Sequence, residues 1–153
     1  MERNVVVGGW GQITQPKHLS SPPKNALELM ESASLQAFEM TGKKSFLSNP
    51  DGIMVVRIVS GHYPAAARQL ANSLGISTKF TYVSGIGGNS PQTLVNMAAG
   101  MISRGELDSI LIAGAETYVQ RQANAEKVES ALFRGIPKNY QGDDLIGSSP
   151  LEN

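Results

Sequence analysis

The stretch Gly85-Ile86-Gly87-Gly88-Asn89-Ser90-Pro91 is where residue types and spacing in this chain come nearest to chemistry. Glycines at 85, 87 and 88 allow close backbone approach and positive-φ geometry just where an apolar segment begins. Ser90 suits an N-cap and Pro91 a first helical position, so the turn reads as a helix start. Unpaired amides at such a start could stabilise the oxygen of a thioester or an enolate. A plainer reading stands beside this one, in which the glycines only turn the chain and Ser90 only caps the helix. The sequence leaves both open.

A second turn, Gly8-Gly9-Trp10-Gly11, invites a dinucleotide reading and fails it. Its glycines do not fit the G-x-G-x-x-G spacing, and a proline-containing loop follows where a phosphate cradle needs a helix start. The turn reads instead as a close backbone passage beneath a packed neighbour. His18 and His62 are too few and too far apart for a metal site, and no metal is expected. With no cysteine there is no disulfide, no thiolate metal site and no thiol nucleophile. Glu116 follows a buried strand, where a carboxylate is costly unless bonded, so it reads as an acceptor tying neighbouring loops, with acid–base work as the alternative. Met30, Met97 and Met101 fall on apolar helix faces and belong to the core.

Charge narrows the partners. Thirteen Lys and Arg cancel thirteen Asp and Glu, which removes the electrostatic footprint of a general nucleic-acid binder. Only 17% of residues are charged, so part of the surface is expected to be neutral or covered. The apolar runs are far shorter than the ~20 residues of a membrane helix, and the start lacks the apolar stretch of a secretory signal. The expectation is a cytoplasmic α/β domain without a membrane span.

The elements that must position the turns follow from periodicity. Asn4–Val7 enters the first glycine turn as a near-continuous apolar run, predicting a strand buried on both faces. From Asn25, apolar residues at 27, 30, 33 or 34, 37 and 38 predict a helix that Gly42 stops and that Lys43 and Lys44 suit. After the Asp51-Gly52 turn signal, IMVVRIVS predicts a second inner strand. A helix then runs from Pro64 at its first position to a Gly75 cap. A third strand follows at 78–85, a third helix on Leu94, Met97 or Ala98, Met101 and Ile102, and a fourth strand at 109–113. This βαβαβαβ order predicts a mostly parallel sheet between helix layers. Residues 119–133 show a weak helical pattern, and the last twenty residues are turn formers that read as a cut or unfinished end.

The segment Gly87–Tyr118, GGNSPQTLVNMAAGMISRGELDSILIAGAETY, resembles the nucleophile helix and following strand of the thiolase superfamily, and VVVGGWGQITQ resembles its first strand. The resemblance covers residues 3–120, and its GGNSPQ form is most similar to acetyl-CoA acetyltransferase-like members of the sterol-carrier-thiolase branch. It implies a three-layer α-β-α half-fold and acyl transfer between coenzyme A thioesters, in lipid metabolism, with no permanently bound cofactor. Aligned back from Glu116 without gaps, Gly88 stands where the family carries its nucleophilic cysteine. Asn89 and Ser90 are then the other candidates of the reactive loop, and no residue is a confident catalyst. A serine hydroxyl two positions on, without an adjacent base, is a poor nucleophile.

Relative to the family, residues 1–118 resemble an N-terminal α/β domain lacking its last strand, and 119–153 the beginning of an inserted loop domain. The remaining catalytic groups would lie in a missing C-terminal half or a partner subunit. The resemblance further implies a homodimer in which the strand at 79–83 pairs with its two-fold mate. Two functional classes follow. One is an acyltransferase whose thiolase turnover the absent cysteine excludes from this chain. The other is a non-catalytic acyl-CoA-binding protein, a partner subunit, or an inactive N-terminal fragment of a longer enzyme.

Overall fold

The structure, a computed structural model, describes residues 3–16, 23–42 and 49–117. The predicted helix at 119–133, the loop-domain segment, Lys43, Lys44 and His18 lie outside them. Helix α1 spans Ala26–Met40, capped by Asn25 and Glu28 in a reciprocal box: the Asn25 side chain accepts from the Glu28 amide while the Glu28 carboxylate accepts from the Asn25 amide. Strand β1 (Gly52–Val55) leads through α2 (Ala66–Leu74) to β2 (Phe80–Val83), and α3 (Ser90–Ser103) leads to β3 (Ile110–Ala113). The strands form one all-parallel sheet in the order β2-β1-β3, so β1 is central and every one of its residues is buried.

Period-two alternation along β1 divides the core. Ile53 and Val55 face α1 and α2 with Met30, Ala66, Leu70 and Val83. Met54 faces α3 with Phe80, Leu94, Ala98 and Met101. This is the expected three-layer architecture, with a smaller sheet. At the amino ends of the strands Asp51 gathers the elements: its carbonyl accepts from the Lys79 and Phe80 amides and the Thr78 hydroxyl, and its carboxylate from the Asp108 amide and the Lys79 ammonium.

Two expectations are corrected. Asn4–Val7 is not a strand: neither sheet edge pairs with it, and Val6 and Val7 are exposed. The valines favour an extended backbone, but a strand also needs a ladder partner. The segment instead forms a strap whose Gly9 and Gly11 lie against the α1 backbone at Ala37 and Ala33, with the Gln12 amide donating to Gln36. The close passage read for this turn is therefore present. Pro64 is not the first helical residue, because α2 starts at Ala66 behind Ala65, which stands in the left-handed region at φ 51°. Gly75 does cap α2, at φ 67°.

The Asp51 hub makes a prediction about acid. The Lys79 hydrogen bond, and then the Asp108 amide, hold the Asp51 carboxyl below its ordinary 3.8. A depressed carboxylate contributes stability that is full above its unfolded pKa and lost as pH falls through the folded one. Thermal melts from about pH 5 down to about pH 2 should show wild type losing its advantage over Asp51→Asn. A constant difference across that range would remove Asp51 from the acid response.

Candidate functional site

The glycine-rich loop joins the carboxyl end of β2 to α3, on the side of the sheet where ligands of open parallel sheets bind. Its anchor is the Gly85 carbonyl, which accepts from the hydroxyls of Ser84 and Ser90, both at 2.9 Å. Ser84 also accepts from the Arg57 amide at 3.1 Å, tying the loop to the end of β1. Among the described residues, the amides of Ile86, Gly87 and Gly88 donate to no protein acceptor. The loop is thus held at its base and open at its tip.

The three sequence candidates separate here. The expected Ser90 cap is corrected: Asn89 occupies the cap position without a side-chain cap bond, and buried Ser90 is already helical. Ser90 spends its hydroxyl on Gly85, so it fastens the loop. Nor do Gly85, Gly87 and Gly88 use positive φ; among the described glycines only Gly42, Gly75 and Gly105 do. Gly87 is confined, since a Cβ there would meet Asn89 Oδ1 at 3.0 Å. Gly88 is unconfined, with nothing within 4 Å of a Cβ. A side chain at position 88 would enter open space at the start of a helix anchored by fully buried Leu94.

Beside this helix start lies an open groove of about 470 Å³, along the ends of β1 and β3. Val56, Pro91, Ile112 and Ala115 give it apolar walls, and Arg57 and Glu116 line it as well. Glu116 is exposed, against the expected buried setting, yet its carboxylate is engaged as expected of an acceptor. One oxygen accepts from the Val59 amide at 2.7 Å and the other from the Ser60 amide at 2.8 Å. Ser60 is buried and accepts from the Thr117 amide, so two bridges join the loops after β1 and β3. Sequence reasoning gives Arg57 no role; its one signal is a cation two residues after the buried strand β1. No cluster of three or more metal-ligating side chains occurs among the described residues, and no helix there is long and apolar enough to cross a membrane.

No family model and no curated protein sequence matches the chain. Solved structures do. A monomeric SCP2-thiolase like protein type 1 from Mycobacterium smegmatis is 26% identical with a TM-score of 0.61, over 72% of this chain and 23% of that one. OleA from Xanthomonas campestris, with bound lauric acid and lauroyl-CoA, is 22% identical with a TM-score of 0.56, over 69% of this chain and 31% of that one. A 3-oxoacyl-[acyl-carrier-protein] synthase III from Aquifex aeolicus is 13% identical at 0.55, over 67% and 32%. The chain carries a thiolase-superfamily fold and spans about a quarter to a third of these solved chains, which fits the N-terminal portion that the resemblance implied.

Proposed function

We propose that this chain supplies the coenzyme A thioester site of a thiolase-like acyltransferase and does not itself carry out cysteine-dependent thiolase turnover. The observation that carries the reading is position 88. It stands just before the cap of a helix seated on the core, beside loop amides with no acceptor among the described residues and an apolar groove. In this reading Gly88 occupies the place of the nucleophilic cysteine, and Asn89 and Ser90 complete the loop around the thioester. The thioester oxygen would take hydrogen bonds from the loop amides. No group in the loop replaces the thiolate, because Ser90 donates to Gly85 and a neutral hydroxyl without a base attacks poorly. Complete absence of cysteine favours the second reading within the same fold, a non-catalytic acyl-CoA-binding partner for another subunit or for a C-terminal half.

Acetyl-CoA and acetoacetyl-CoA titrations followed by intact mass test this directly. Saturable binding without a mass increase is expected. An acyl adduct would overturn the non-covalent reading, and absence of any binding would overturn the site. Ser90→Ala should lose about 1 kcal/mol, the worth of one hydrogen bond, and keep its acyl-CoA affinity. Loss of affinity in a variant with that modest melting shift would give Ser90 a role toward the ligand.

A homodimer through 79–83 remains part of this proposal. β2 is a free edge of the sheet, and Thr81 and Tyr82 are half-buried there. The Mycobacterium smegmatis protein is described as monomeric, so the pairing calls for sedimentation of this chain at micromolar concentration.

A further inference from the structure

The amides of Ile86, Gly87 and Gly88 are not held alike. A trans peptide is planar with its N–H opposite its carbonyl, so whatever fixes the carbonyl aims the amide. In the Gly85–Ile86 peptide the carbonyl takes two hydroxyl donors, Ser84 and Ser90, each at 2.9 Å and each from a buried residue. Ser84 is itself pinned to β1: its amide donates to the Val55 carbonyl at 2.9 Å, and its hydroxyl accepts from the Arg57 amide at 3.1 Å. The Gly87 carbonyl takes one backbone donor, the Ser90 amide at 3.1 Å, and the Ile86 carbonyl takes none among the described residues. With its carbonyl drawn toward buried hydroxyls, the Gly85–Ile86 plane turns the Ile86 amide the other way. The Ile86 side chain there is 71% exposed. Two donors on one carbonyl also polarise the peptide, which makes its N–H a stronger donor.

We infer that Ser84 and Ser90 are positioning residues that aim the Ile86 amide at the thioester oxygen of a bound acyl-CoA. The inference rests on the coenzyme A thioester reading above and assigns the oxygen to one amide of the loop. Neither serine touches the ligand. Either hydroxyl alone keeps the Gly85 carbonyl in place, so the two back each other up.

Calorimetry with coenzyme A and acetyl-CoA isolates the oxygen, because free coenzyme A has no thioester carbonyl. One good hydrogen bond is worth about fivefold to tenfold in affinity, so wild type should prefer acetyl-CoA by about that factor. Ser84→Ala and Ser90→Ala should each keep the preference. The double variant should lose it and keep its affinity for coenzyme A. Ile86→Pro deletes the donor and leaves both serines in place, at a position whose φ is not in the left-handed region. It should lose the preference in the same way. In the free protein the Ile86 amide resonance should move further in the double variant than that of Gly87, a readout that needs no ligand.

A preference retained in Ile86→Pro would give the oxygen to another amide and overturn the inference. So would a double variant that weakens both ligands equally, which marks general damage to the loop, or an Ile86 resonance that does not move. Equal affinity of wild type for the two ligands would overturn the inference and leave the coenzyme A site standing. No binding of either ligand to wild type would overturn the reading on which the inference rests.

Discussion

Gly11→Ala is expected to lower stability by about 3 kcal/mol, the upper end of what overpacking costs. A Cβ at position 11 would overlap the Ala33 carbonyl oxygen and stand 2.9 Å from the Gln36 Cβ. The obstacle is helix backbone, which a rotamer change cannot relieve. Gly9 meets the same obstacle one turn along, at Ala37. The loss is bounded, because the strap can lift off α1 and surrender the Gln12–Gln36 bond and the Gln15–Lys24 contacts without unfolding the sheet. Denaturant melts of G11A beside Gly88→Ala give the comparison, since the second change meets open space and should stay within about 0.5 kcal/mol of wild type. Equal stability of the two variants would mean that the strap does not pack on α1 as described.

Glu116→Ala is expected to cost about 2 kcal/mol and to weaken acyl-CoA binding about tenfold. Two amides lose a charged acceptor, each such bond being worth about 1.5–3 kcal/mol before its exposure to water reduces it. The loop after β1 then keeps only the bridge from Ser60 to the Thr117 amide, and the groove wall carrying Arg57 loses its fixed position. Glu116→Gln keeps one acceptor oxygen and should recover part of both effects. If the stability loss appears in the alanine variant while binding is unchanged, the carboxylate holds the loops together without shaping the ligand site.

The helices and the central strand were legible because their signals are local. Apolar spacing after Asn25, the apolar run at 53–56, rich in β-branched residues, and the glycine at 75 each determine backbone within a few residues. The valines at 5–7 misled for the converse reason: an extended apolar run describes a strand, but its ladder partner is a non-local fact. Ser90 was displaced by one position, and that single step turned an expected cap into the fastener of the Gly85 carbonyl. Gly88 was legible through the family resemblance alone, since nothing in its neighbours distinguishes an open position from a tight one. The groove was out of reach. Arg57 and Glu116 are far apart in sequence, and only the parallel pairing of β1 with β3 brings their strand ends together.

Hydrogen exchange of the chain with and without acetoacetyl-CoA tests the central claim most directly, because it reports where the ligand binds. Among the described residues the loop amides at 86–88 have no acceptor, so they are expected to exchange fast without ligand and to slow when a thioester oxygen binds. Protection is expected in peptides covering 84–93 and in those covering 56–60 and 112–116, with residues 68–81, from within α2 to the start of β2, unchanged. Protection confined to 68–81, or none at a ligand concentration that saturates binding, would contradict the assignment of the acyl-CoA site to the start of α3.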